Sequence, residues 1–389
     1  MNKVYNTQND IASEIKDFLL KSNPNIRKTQ LKIIPFISLG MILSQSSVAS
    51  SIASFLKDDF SLVQHDSVTR RIKRLFKNKL FDPYSFYDSI IRYIISNYKP
   101  KHEDKRVHIT FDHMFSHDNY TVFMITMRLG KQGIPLWFRC FNDNDNPSAF
   151  DESLLKEGIS YVSSLFDSSF NLIFLADRWF NSISLLQHID SLGHTFCIRL
   201  KKNIKVFVYD KKEGHSVWKF LSDLTPYKYH SISFHDIFLT DSSFKTNIVI
   251  SKSVDVSEPW IIVTNGSTSR AIKDYGYRFG SIESVFKNQK SNGFYIESTV
   301  NASLDYFSSM YSLVCFSTLF LTILGADYSK NSKCYKSIKL TTHKYFLENG
   351  TRVRKRVMSL FHAGLTLFLL AFNSSKYIRL PFSFTLYDI

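Results

Sequence analysis

The sequence predicts an α/β protein with helical flanks. Two observations carry that class. Between residues 101 and 203, period-2 segments alternate with helical stretches around one continuous apolar run. On either side of this block the hydrophobic period is helical or strand-like, but not mixed. A third observation sets the outline: residues 204–269 read as strands with no long helix among them, a β-rich insertion ahead of a helical return at 270.

Residues 1–100 form the helical N-terminal region. Ile11, Ile15, Phe18 and Leu19 stand at i, i+4, i+7 and i+8, one apolar stripe. Asn and Pro at 21–25 break the chain before helical stretches near 28–44 and 46–57. The segment 66–79 differs in character. Asp66 or Ser67 can cap a helix whose inner face is Val68, Ile72, Leu75 and Phe76, while Arg70, Arg71, Lys73, Arg74, Lys77 and Lys79 fill the outer one. An apolar helix, a short linker and a basic helix suggest helix-turn-helix-like DNA binding through Arg70, Arg71, Lys73 and Arg74. The plain alternative is a solvated basic face with no ligand.

In the α/β block, Val107, Ile109 and Phe111 alternate with His108, Thr110 and Asp112. Segments 120–127 and 134–141 are two further strands, joined at Gly130–Gly133 by a hairpin turn that lacks phosphate-loop spacing. An Asn/Asp-rich loop (142–148) leads to a helix over about 149–166. Residues 171–176 are apolar throughout, as in a strand buried on both faces, and end at Asp177. A helix over about 180–191 and a strand over 195–200 complete this first part of the core, 101–203. In the insertion, Val206/Val208, Ile232/Phe234, 248–250 and 261–263 mark four strands. Residues 270–329 return to helix as the last part of the core. Residues 330–389 read as a basic helical C-terminal region, with nine Lys/Arg against Glu348 alone in 330–356.

The chain has 389 residues, 49 Lys+Arg against 34 Asp+Glu, and a formal charge of +15. That surplus makes a polyanion the natural partner. Four scattered cysteines, Cys140, Cys197, Cys315 and Cys334, have no metal-ligand spacing, which argues against a disulfide scaffold or a zinc finger. His113 and His117 are a weak zinc pair, and no Gly-x-Ser-x-Gly elbow occurs. The polar N-terminus lacks a signal-peptide core, and the most apolar stretch, 313–325, is 13 residues long, too short to span a bilayer. The expectation is a soluble intracellular protein without a membrane partner.

Three acids stand where chemistry is plausible. Asp112 and Asp177 close core strands, and ligands of open α/β sheets gather at the carboxyl ends of strands. An Asp after an apolar strand is equally a common turn residue. Glu283, Lys287 and Lys290 fall at i, i+4 and i+7 of a helix, beside the apolar face of Ile282, Val285 and Phe286. Taken alone, this is a surface Glu–Lys pair near a helix N-terminus.

Taken together, the acids and their surroundings resemble the DDE transposases of bacterial insertion sequences. The subgroup is the IS-four-like one, with an RNase H-like core and a β insertion before the last acid. HITFDHMF (108–115) is similar to its first-Asp block, and FLADRWFNSISLLQHIDSLGHTFCIRLK (174–201) to its second-Asp block. YGYRFGSIESVFKNQKSNGFYIEST (275–299) resembles its signature of Tyr, Arg, Glu and Lys. Tyr275 and Arg278 keep the first spacing, and Glu283 and Lys290 keep the last. The middle gap is four residues where the family has three, and Tyr277 is an alternative counterpart of the tyrosine. Trp179 stands where the family often has Gly, either as a core residue or as a ring that stacks on an extruded base.

The resemblance implies that Asp112, Asp177 and Glu283 are catalytic and hold two Mg²⁺ ions, with Mn²⁺ able to substitute. Two ions about 3.5–4 Å apart activate the attacking oxygen and stabilise the leaving one in phosphodiester cleavage. It further implies DNA contacts from Tyr275, Arg278, Lys287 and Lys290, and cut-and-paste transposition between double-stranded element ends and target DNA. A homodimer in the active complex and a nucleoid-associated place in the bacterial cytoplasm belong to the same expectation. Two alternatives stay open: an endonuclease of the same core without strand transfer, and an inactive DNA-binding regulator descended from a transposase.

Overall fold

The computed structural model describes residues 8–56, 64–100, 104–115, 120–142, 151–210, 212–240, 244–252, 258–299, 302–330, 342–346, 351–356, 358–374 and 386. His117, Cys334, most of the Asn/Asp-rich loop and parts of the basic stretch 330–356 lie outside the described residues.

The N-terminal helices are α1 (Gln8–Ser22), α2 (Lys28–Leu31), α3 (Ile34–Ser44), α4 (Ala49–Ser54), α5 (His65–Phe76) and α6 (Pro83–Ser96). The stripe Ile11, Ile15, Phe18 and Leu19 is buried, as is the inner face of α5. Helix α6 starts where Asp82 accepts hydrogen bonds from the amides of Tyr84 (3.0 Å) and Ser85 (3.3 Å), with Pro83 in the first turn.

Next come β1 (Arg106–Phe115), β2 (Tyr120–Leu129), β3 (Gln132–Asn142), α7 (Glu152–Ser164), β4 (Asn171–Ala176), α8 (Ile183–Ser191) and β5 (Thr195–Arg199). The strands β6 (Lys205–Asp210), β7 (His215–Phe220), β8 (Ser231–Leu239), β9 (Lys245–Ser251) and β10 (Trp260–Thr264) follow. After them come α9 (Thr268–Gly276), α10 (Ile282–Lys290), α11 (Leu304–Lys330), β11 (Thr342–Phe346), β12 (Arg352–Arg356) and α12 (Leu360–Ser374).

Ten strands form one sheet in the order β3-β2-β1-β4-β5-β10-β9-β8-β6-β7. Strands β1 to β3 are an antiparallel meander, and β4 and β5 add in parallel beside β1. The insertion strands do not fold back into a sheet of their own. Strand β10 pairs antiparallel with β5, so they extend the core sheet. Strand β7 was not legible in the sequence. It is the outermost strand with no buried position, and an edge strand that covers no core shows no apolar alternation.

Helices α7 and α8 cover one face, tied together by Ser160 Oγ and His188 Nε2 at 2.8 Å. Helices α9, α10 and α11 cover the other. Helix α11 is the axle of the molecule. It touches α3, α5, α6, α10, α12 and β3, and Phe316 packs on Phe18 and Phe86 from the N-terminal helices. At 27 residues it is long and apolar enough to cross a membrane, yet its apolar window lies wholly inside the protein. Counting 13 apolar residues was therefore the wrong ground for setting a span aside; the polar Ser and Thr between them are buried too. Helix α12 crosses α11 at Gly325 and Gly364. A Cβ on either glycine would stand 1.9 Å from the carbonyl oxygen of Leu360 or Leu321.

The expected helical C-terminal region contains a β-hairpin, with β11 paired to β12 from Thr342↔Arg356 to Phe346↔Arg352. Thr342, Tyr345, Phe346 and Val353 are strand formers, which weigh against helix once a partner strand is near.

Candidate active site

Strand register brings the first two acids together. Thr110 of β1 pairs with Leu175 of parallel β4, and Asp112 and Asp177 each stand two residues further on. Side chains two apart share a face, so both carboxylates lie side by side on the face covered by α9. Asp112 does not end its strand, as the sequence suggested: β1 continues to Phe115 because β2 still pairs with it, Asp112 opposite Met124. What ends near Asp112 is the parallel partner, since β4 stops at Ala176. Asp177 then caps a short 3-10 turn, its Oδ1 accepting from the amide of Arg178 at 2.7 Å.

The third acid arrives from the helical side. Helix α9 seats Ala271 and Tyr275 among Ile173, Leu175, Cys197 and Ile262. The chain leaves α9 through Tyr277 and Arg278, then turns at Gly280, whose φ of +75° favours glycine. Helix α10 starts directly afterwards with Glu283 in its first turn, where the helix dipole favours a carboxylate. Its position is fixed by close approach to β3: a Cβ on Gly133 would stand 2.8 Å from the Ser281 carbonyl oxygen and from Val285.

Arg278 joins the acids. Its Nη2 donates to Asp112 Oδ2 at 2.7 Å and its Nη1 to Glu283 Oε1 at 3.0 Å. The arginine is only 6% exposed. Burial pushes the Asp112 carboxyl above its ordinary range, Arg278 and the His113 amide (2.9 Å from Oδ1) pull it back, and the charge of Asp177 pushes it up again. Glu283 Oε2 and Arg278 Nε are buried with no hydrogen-bond partner among the described residues.

Three carboxylates are the right donors for a hard divalent cation, and the orphaned Glu283 Oε2 has spare capacity. In this arrangement, however, a guanidinium stands between two of them. Among the described residues no three His, Cys, Asp or Glu side chains are grouped to hold a metal ion.

The residues expected on DNA divide into three sets. Arg70, Arg71, Lys73 and Arg74 are exposed on α5, and Lys287 is exposed on α10. Tyr275 and Arg278 are buried: the Tyr275 ring packs edge-on against Trp260 at 5.3 Å, and Arg278 serves the acids. Lys290 is half-buried, 2.9 Å from Glu297 Oε1 and hydrogen-bonded to the Phe115 carbonyl. Its neighbours are thus protein groups, which its sequence spacing could not reveal. Trp179 is no core residue. It is 77% exposed beside Asp177, with Lys201 Nζ 4.9 Å from the ring centre. His113 stacks on Phe180 at 5.4 Å, and His117 lies outside the described residues.

Sequence reading missed a second cluster. Asp274, buried in α9, takes Arg106 Nη2 at 2.7 Å and His108 Nε2 at 3.1 Å. Its only signal was an acid at i+4 from Arg270; its partners lie more than 160 residues away.

Fold and site define a mixed α/β protein with an acidic cluster beside the carboxyl end of a parallel strand and a helix N-terminus. No family model matches the chain, and no curated protein sequence matches it. Among solved structures it is similar to piggyBac transposase in a synaptic complex with hairpin DNA. That likeness has a TM-score of 0.44 and 12% identity, over 94% of this chain and 78% of that one. It is also similar to Marinitoga piezophila Argonaute in complex with guide RNA and target DNA. There the TM-score is 0.21 and the identity 16%, over 60% of this chain and 36% of that one.

Proposed function

We propose that the protein is a DDE-type transposase of the IS-four-like kind, which binds the terminal inverted repeats of an insertion sequence, cuts its ends and joins them to target DNA. The observation that carries this reading is the register of Asp112 and Asp177 on neighbouring strands, with Glu283 tied to Asp112 through one arginine. Asp112, Asp177 and Glu283 would hold Mg²⁺, two ions with Mn²⁺ able to substitute, which when bound activate the attacking oxygen and stabilise the leaving one. Arg278, released from the acids, is a bidentate donor suited to a phosphate. The exposed basic face of α5 would hold duplex DNA, and Lys287 would meet the strand near Glu283. A homodimer on paired element ends, in the bacterial cytoplasm at the nucleoid, completes the proposal.

One observation favours a second reading. An arginine lodged between two of the three acids also suits a DNA-binding regulator in which catalysis has lapsed. The test separates the two. Asp112→Asn, Asp177→Asn and Glu283→Gln should each abolish Mg²⁺-dependent nicking and joining of the element's ends while leaving end binding nearly intact. A wild-type protein that binds ends but neither nicks nor joins them supports the regulator. A single variant that cuts at the wild-type rate removes that residue from the site.

A further inference from the structure

A cavity of about 520 Å³ opens on the same sheet face as Asp112, towards the start of β1. Its wall carries Arg106, Arg128, Lys131, Arg270 and Lys273 against one carboxylate, Asp104. These residues come from the start of β1 and the chain just before it, from β2 and the β2–β3 turn, and from α9. Arg270 and Lys273 of α9 and Tyr277 just past its end recur at i, i+3 and i+7, so they present one basic and aromatic face to the cavity.

Charges on the floor are paired. Buried Asp274 neutralises Arg106 and orients His108. The Tyr277 ring lies 4.6 Å from the His108 ring and 4.6 Å from the Arg128 guanidinium carbon. Four cations remain. Arg128, Lys131, Arg270 and Lys273 have no carboxylate within ion-pair distance among the described residues. Like charges gathered round a cavity repel one another unless an anion enters. Arg offers a planar fork and Lys a point charge, the two donors that proteins use for phosphate.

We propose that this cavity holds backbone phosphates of the DNA strand that reaches the acidic cluster. The proposal rests on reading that cluster as a DNA-cutting site. His108 and Asp112 are two side-chain repeats apart on one face of β1, about 13 Å. A nucleic-acid strand carries one charged phosphate per nucleotide, and more than one of them falls within that span. A strand that runs along β1 with its scissile phosphate at Asp112 would bring further phosphates to the cavity. A free phosphate or pyrophosphate shares the chemistry and is the competing occupant.

The test uses the full-length protein in chelator, so that binding is read without cleavage. Lys131→Gln, Arg270→Gln and Lys273→Gln are combined, since all three side chains are exposed and their loss leaves the core untouched. Affinity for duplex DNA is then measured across a salt titration, with thermal melts as the folding control. If all three meet phosphate, the slope of log K against log salt falls by about 2.7, at about 0.9 per neutralised phosphate. An unchanged affinity and slope overturns the proposal. So does a result in which the triple change abolishes stabilisation by inorganic pyrophosphate but leaves DNA binding as it was, which assigns the cavity to a small free anion. Failure of the cutting reading shows elsewhere, as normal nicking by the Asp112, Asp177 and Glu283 variants, and does not move the salt slope.

Discussion

Arg278 holds Asp112 at 2.7 Å and, through its other terminal nitrogen, Glu283 at 3.0 Å, so an internal cation bridges a strand residue and a helix residue 171 positions apart. Two carboxylates brought together without a cation repel, and the arginine removes that cost. The same contact engages one oxygen of each of two acids proposed to hold Mg²⁺.

Arg278→Gln should therefore be less stable than the wild type in chelator, by roughly 1.5–3 kcal/mol for the missing charge-assisted hydrogen bonds. It should also gain more from Mg²⁺, because no guanidinium competes for the acids. Thermal melts of both proteins with chelator and with Mg²⁺ decide it. An equal Mg²⁺-induced shift in the two would mean that the arginine and the ion do not compete.

Asp274 makes the acid limb of stability predictable. Burial pushes its carboxyl up, but the hydrogen bond from His108 and the charge of Arg106 outweigh it and hold it below the ordinary carboxylate range. A depressed carboxyl stabilises the fold fully above the unfolded value of about 3.9, and the contribution disappears as pH falls through its own lower value. Asp274→Asn should lie roughly 1–3 kcal/mol below the wild type at neutral pH. The gap should narrow as both are unfolded at pH values progressively below the ordinary carboxylate range. A gap that stays constant with pH would show that the ion pairs contribute nothing.

The crossing of α11 and α12 admits no side chain at Gly364. Gly364→Ala places a methyl group against the Leu321 carbonyl, and the helices must separate. A loss of about 1–3 kcal/mol or more is expected from such overpacking. Gly276→Ala is the control: nothing lies nearer than Trp260 at 4.0 Å, and alanine favours helix. Chemical denaturation of both variants measures the difference, and equal stabilities would contradict the close crossing.

Helix α5 offers a test on exposed charge alone. Replacing Arg70, Arg71, Lys73 and Arg74 with Ala removes no buried atom of its inner face. The slope of log K against log salt for duplex DNA should fall by about 0.9 for each phosphate that these side chains neutralise in the wild type. The same slope and affinity after all four changes would make this face a bystander.

What the sequence determined by itself is local. Periodicity placed α1, the inner face of α5, the apolar strand β4 and the helical return after 270, because 3.6- and 2-residue repeats are imposed by the element and survive without a partner. It also marked Asp177 after an apolar strand and Glu283 in the first turn of a helix. Tertiary structure decided everything that depends on a distant neighbour. Strand β1 runs past Asp112 only because β2 goes on pairing with it. The β insertion continues the core sheet because β10 finds β5. Arg278 and Tyr275 turn inward because α9 packs on β4 and β5. Arg106, His108 and Asp274 became a cluster for the same reason. A buried charge needs a partner, and which residue supplies it is fixed by packing between elements, which no local repeat encodes.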